Sequence, residues 1–96
     1  LAFDYPEPAR EALIVAREGG VDAELAQRLV TLARRTRALV DQGLDEGAST
    51  RMLVHAARLV RAGRTPQAAV LQAVAEPLSD DAALSAALRA LATAAF

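Results

Sequence analysis

The stretch GASTRMLVHAARLVRAGRTP, residues 47–66, decides how the rest of the chain is read. It contains one whole helix with both of its boundary signals. Ser49 stands where an N-cap stands, because its hydroxyl can accept from a free N–H of the first turn. Leu53, Ala56, Ala57 and Val60 then recur at helical spacing and share one face. Gly63 stops the run. Thr65 opens the next helix, and Pro66 takes its first position, where a missing N–H is harmless and φ is already set.

The same signals continue in both directions. Upstream, Leu1 to Tyr5 alternate loosely, like the tail of a strand, and Pro6 and Pro8 hold the residues before them extended. A first helix is predicted from Pro8 through Leu13, Ile14 and Val15, closed by Gly19 and Gly20. The second helix is the longest. Asp22 caps it, and Glu24 suits the positive end of its dipole. Leu25, Leu29, Leu32, Leu39 and Val40 keep helical spacing as far as Gly43, and Thr36 makes that stripe polar or narrow. Arg28, Arg34, Arg35 and Arg37 occupy the other face. Arginines toward a helix C-terminus complement the dipole, so a solvated face is expected.

Downstream, Ala69, Val70, Ala73 and Val74 line a fourth helix that is expected to end at Pro77. Ser79, Asp80 and Asp81 offer caps for a fifth, faced by Leu84, Leu88, Leu91 and Ala95. Nothing after Pro6 reads as a strand: the 14 Val, Ile and Thr residues follow helical, not alternating, spacing. The expected fold is all-α, a compact bundle of about five helices over residues 8–96, with a short extended segment over residues 1–7.

Composition narrows the chemistry. All 11 basic residues are Arg, and there is no Lys, Cys or Trp and a single His. Without Lys the chain has no P-loop of its own and no Schiff-base chemistry. Without Cys it has no thiol nucleophile, disulfide framework or zinc finger. One His does not make an imidazole-rich metal site, and no metal site is expected. Ala fills 24 of the 96 positions, which also fits a GC-rich genome. A net charge of −1 gives no electrostatic case for nucleic acid or an anionic membrane. No apolar run is long enough to span a bilayer. The lack of Cys fits a cytoplasmic protein.

Chemistry concentrates at Gly47-Ala48-Ser49-Thr50-Arg51. A helix N-terminus presents free N–H groups and partial positive charge. Arg51 in that first turn opposes the dipole, at a cost of about 0.3–1 kcal/mol when exposed. Its planar fork suits a phosphate. Pairing with Asp45, Glu46 or another carboxylate is the plainer alternative. His55 and Arg58 follow at i+4 and i+7 from Arg51 and extend a basic stripe. A lone His is more commonly a packed side chain than a catalyst. Asp80 and Asp81 are adjacent and do not face each other on a helix, so they read as caps.

Phe3-Asp4-Tyr5-Pro6, the GASTR element and Pro77-Leu78-Ser79-Asp80-Asp81 together resemble the C-terminal domain of the CbbQ/NirQ/NorQ group, MoxR-type AAA+ ATPases. The resemblance runs in order along essentially the whole chain. Many MoxR relatives have Pro where Thr50 stands. The resemblance implies that residues 8–96 are the helical lid over the nucleotide and residues 1–7 the end of the core domain's last strand plus the hinge. It implies that Arg51 is the sensor-2 arginine, contacting phosphate, with Ser49 and Thr50 beside it at the nucleotide. It implies ATP with Mg for the longer protein and no cofactor for the domain alone, since Walker A, Walker B, sensor-1 and arginine-finger elements have no counterparts here. The implied partners are an N-terminal AAA+ core domain, a homo-oligomeric ring (a hexamer), a von Willebrand factor A-type protein and a metalloenzyme client such as rubisco or nitric oxide reductase. Two other readings use the same residues. A free-standing helical module could hold a partner helix in an Ala/Leu groove. A helix-turn-helix could use Ser49 to Arg61 for recognition, against which the net charge argues.

Overall fold

In the computed structural model, which describes residues 5–42, 44, 47–78 and 82–96, helices follow one another with short connections. α1 (Pro8–Gly19) begins at a proline and closes on Gly20, whose φ of 72° is left-handed. α2 (Ala23–Ala38) is capped by Asp22, whose side chain accepts from Leu25 N–H at 2.8 Å. α3 (Thr50–Arg61) is capped by Ser49, and α4 (Pro66–Val70) starts under the cap of Thr65. α5 (Ala82–Ala95) follows. The all-α reading and its main N-terminal signals are therefore met, and no strand occurs among the described residues.

Two boundaries differ from expectation, each for a local reason. The α-helical part of the second helix ends at Ala38 and tightens into a 3₁₀ turn, Leu39–Gln42. With three residues per turn instead of 3.6, the register shifts and Val40 swings outward, 41% exposed, instead of joining the apolar stripe. On α1, Leu13 is 63% exposed, while Glu11, Ala12, Val15 and Gly19 face inward. Pro77 lies inside the fourth helical rod instead of ending it. That rod runs as α-helix over Pro66–Val70, widens into a π turn over Leu71–Ala75, and closes with Glu76–Leu78. A proline ring clashes with the carbonyl four residues back. The π turn just before it, where Glu76 N–H bonds to Leu71 C=O, opens the backbone enough to admit Pro77. Ser79, Asp80 and Asp81, read as caps, lie outside the described residues, as do Gly43 and Leu1 to Asp4.

The molecule measures 32 × 30 × 18 Å. A thickness of 18 Å admits two helix layers at most, given a helix diameter of roughly 10–12 Å. α1 packs against both α2 and α3, and the fourth rod joins α3 to α5. The core between them is built from Val15, Leu29, Leu32, Leu53, Val70, Val74 and Leu88, with many alanines filling the closer crossings. At one such crossing Gly19 meets Ala57, and a Cβ on Gly19 would lie 2.3 Å from the alanine's Cβ. Among the described residues, no helix is long and apolar enough to cross a membrane.

Leu53 is fully buried at the centre of α3, so Leu53→Ala is expected to cost about 2–5 kcal/mol in urea unfolding. Thr65→Ala removes one cap bond and is expected to cost about 0.5–2 kcal/mol in the same measurement.

Candidate functional site: the turn into the third helix

The turn that delivers the chain into α3 is fixed by side chains from two other helices. Thr36, on α2, is buried and donates to Ala33 C=O at 2.7 Å. Its oxygen accepts from Ala48 N–H at 2.9 Å. One residue along, Arg37 Nε donates to Ala48 C=O at 3.0 Å. Both backbone polar groups of Ala48, its N–H and its C=O, thus end on α2. Thr36 is the interruption seen in the apolar stripe, and the polar gap it leaves is where the turn attaches.

Arg37 also reaches α1. Its Nη1 donates to Glu11 Oε1 at 2.9 Å and its Nη2 to Glu11 Oε2 at 2.6 Å, a two-pronged pair that suits a planar guanidinium. Thr50, the first residue of α3, donates its hydroxyl to Glu11 Oε2 at 2.8 Å. A fully buried carboxylate is therefore met by three donors from two helices. The Tyr5 ring covers the face of the same guanidinium, with its centroid 3.6 Å from Arg37 Cζ. Among the described residues no buried side-chain nitrogen or oxygen lacks a partner.

Gly47 is explained by this packing. A Cβ there would come within 2.6 Å of Arg37 Cα and 2.9 Å of Arg37 N. These are backbone atoms of α2 and cannot rotate away, so the turn lies against the helix only if residue 47 has no side chain.

The residues singled out in the sequence take different places. Ser49 caps α3, its Oγ accepting from Met52 N–H at 3.2 Å. Thr50 faces inward to Glu11. Arg51 is exposed in the first turn of α3, with no hydrogen-bond or ion-pair partner among the described residues. Asp45 and Glu46, its alternative partners, lie outside those residues. His55 is exposed on the next turn. Arg58 is exposed but tied, its Nε donating to Glu18 C=O at 3.2 Å. The basic stripe of Arg51, His55 and Arg58 is thus pinned at one end and open at the other. No group of three or more His, Asp or Glu suited to a metal occurs among the described residues.

The arginine face of α2 needs correction. Arg34 and Arg35 are exposed, as a solvated face requires. Arg37 is not part of it: its side chain is 11% exposed and paired. Arg28 is engaged too, donating from Nη2 to Ala95 C=O at 3.0 Å with its guanidinium 5.3 Å from the Phe96 ring centre. The sequence reading missed Glu11. The available signal was its register, since Glu11 shares a helix face with Val15 and Gly19, where a carboxylate needs a buried partner.

The profile of the family described as CbbQ/NirQ/NorQ C-terminal matches residues 11–95. Protein NorQ of Paracoccus denitrificans is 50% identical over 96 residues, covering 100% of this chain and 36% of that protein. The denitrification regulatory protein NirQ of Stutzerimonas stutzeri is 50% identical over 88 residues, or 92% of this chain and 32% of its own length. Protein CbbQ of Hydrogenophilus thermoluteolus is 50% identical over 94 residues, covering 98% and 35%. The chain spans about a third of the length of these relatives.

Removing one partner of a buried ion pair strands the other. Glu11→Ala is therefore expected to cost about 3–5 kcal/mol in urea unfolding, a large share of the stability of a small domain. Arg34→Ala, on the exposed face one turn away, is expected to stay within about 0.5 kcal/mol.

Proposed function

Because the chain belongs to the CbbQ/NirQ/NorQ C-terminal family, we propose that it is the helical lid of an AAA+ ATPase and that Arg51 is its sensor-2 arginine. One observation carries the reading. Arg51 stands exposed in the first turn of α3, against the helix dipole and without a partner among the described residues, on a backbone fixed from two sides. A cation kept at a mild disadvantage suits an anion supplied from outside.

The residues fit a nucleotide phosphate in chemistry and placement. Arg51 offers a planar fork. Ser49 occupies one N–H of the first turn, and the helix end carries further N–H groups without an intrahelical partner. Thr50 contributes position, since its hydroxyl is already engaged with Glu11. When ATP with Mg is held by a preceding core domain, Arg51 adds positive charge where negative charge redistributes over the β- and γ-phosphates. Loss of that contact after hydrolysis releases the lid to turn about the segment near Pro6 and Pro8. The longer protein then acts as a cytoplasmic ring, a hexamer in this reading, that remodels a metalloenzyme such as rubisco or nitric oxide reductase together with a von Willebrand factor A-type partner. Resemblance to the family and its curated members supports that wider assignment.

Arg51→Ala in the full-length protein is expected to lower ATP turnover roughly 10²–10³-fold, the scale of losing one charge-stabilising donor. A steady-state phosphate-release assay measures it, and an unchanged rate refutes the assignment. The 96-residue chain alone holds only one side of the site, so titration calorimetry is expected to show no ATP binding in the micromolar range.

A further inference from the structure

We propose that Arg37 is a positioning residue for Arg51, and that Tyr5 ties this positioning to the segment that leads into α1. The proposal rests on Arg51 acting at the phosphates and extends that reading to two residues that touch no nucleotide.

The contacts of Arg37 hold the chain immediately before Arg51. Its Nε holds the carbonyl of Ala48, three residues before Arg51. Its two Nη groups hold Glu11, and Glu11 holds Thr50, the residue immediately before Arg51. Ser49 lies between these two anchors and caps the helix. The guanidinium thus controls both the height of the turn and the direction in which α3 starts. Stability alone does not call for this arrangement. A buried ion pair can commonly be replaced by packed apolar side chains at no loss. Apolar packing between α1 and α2 would join the helices, but it would not orient the Ala48 carbonyl or the Thr50 hydroxyl. A planar fork with fixed directions does both.

Tyr5 adds the link to the N-terminal segment. Its ring lies on the guanidinium face and helps keep water from it, leaving Arg37 with a side-chain exposure of 11%. Pro6 follows directly and Pro8 opens α1, so the backbone between Tyr5 and Glu11 has little slack. A displacement of this segment lifts the ring, admits water to the guanidinium and weakens its hold on Ala48 and Glu11. The orientation of Arg51 then depends on the orientation of the segment entering the domain.

The test is a mutant cycle on full-length protein, read as steady-state ATP turnover. Arg37→Lys keeps the buried charge and loses the planar fork. Tyr5→Leu keeps an apolar cover and loses the ring. With Arg51 present, Arg37→Lys is expected to lower kcat about tenfold and change KM for ATP by less than threefold. Tyr5→Leu is expected to lower kcat about threefold. In an Arg51→Ala background, each change is expected to leave the residual rate within twofold. A residue that served folding alone would lower the rate by the same factor in both backgrounds, and that result overturns the proposal. So does wild-type turnover in both single variants. If Arg37→Lys does not fold, the Tyr5→Leu arm decides by the same comparison. An Arg51→Ala protein with normal turnover would instead refute the lid reading, and the positioning role with it. Additive losses beside a crippled Arg51→Ala would refute positioning alone.

Discussion

Burying a carboxylate inside a 96-residue bundle is unfavourable unless its charge and its lone pairs are both met. Glu11 is buried completely, and Arg37 and Thr50 meet it with three hydrogen bonds. Each of these residues comes from a different helix, so the pair fixes α1, α2 and the start of α3 relative to one another. Arg37 spends its remaining nitrogen on the turn itself, at Ala48. The end of the turn at Gly47 and Ala48 is therefore held against α2. The absence of a side chain at Gly47 is the steric counterpart of the same constraint, because Arg37 is held only if the turn lies flat against α2.

The apolar core does a different job. Its alanines and short valines let the helices approach closely, but they leave few large side chains to interlock and so specify orientation weakly. A small rotation of α3 about its own axis would still keep Leu53, Val54, Ala56 and Ala57 on the buried side. It would not keep Thr50 on Glu11 or Ala48 on Thr36. The directional polar cluster thus settles what a small-residue core leaves open, and it does so at the helix end where Arg51 stands.

What the sequence disclosed follows from how local the physics is. Asp22, Ser49 and Thr65 were legible as caps because a cap acts within three residues, and all three accept as expected. Gly20 was legible as a helix stop for the same reason. Register errors arose where the helix type changed. A 3.6-residue period carried past Ala38 placed Val40 inside, and the 3₁₀ turn turned it out. Pro77 was read as a stop because a regular α-helix excludes it, whereas a π turn admits it. Arg37 looked like its neighbours Arg34 and Arg35, since a charged side chain on a helix carries no local mark of its partner. That partner, Glu11, is 26 residues away. At the candidate site, Ser49 and Arg51 were visible as a cap and a cation, but the inward role of Thr50 depended on the same distant carboxylate.

Arginine serves two opposed purposes within this one turn, which gives the absence of lysine a meaning beyond base composition. At position 37 every guanidinium nitrogen donates and an aromatic ring covers one face. A lysine ammonium is a compact, strongly hydrated charge and could not bridge a carboxylate and a carbonyl in one plane. At position 51 the same group is exposed and has no partner among the described residues. Fixing the first arginine restricts where the backbone of the second can be, and the side chain of Arg51 projects from that held backbone. In the proposed lid role, a phosphate at the α3 end would order this side chain on a backbone already held at Ala48 and Thr50. Ordering one side chain costs far less entropy than ordering several backbone residues as well. The buried pair thereby prepares the exposed cation.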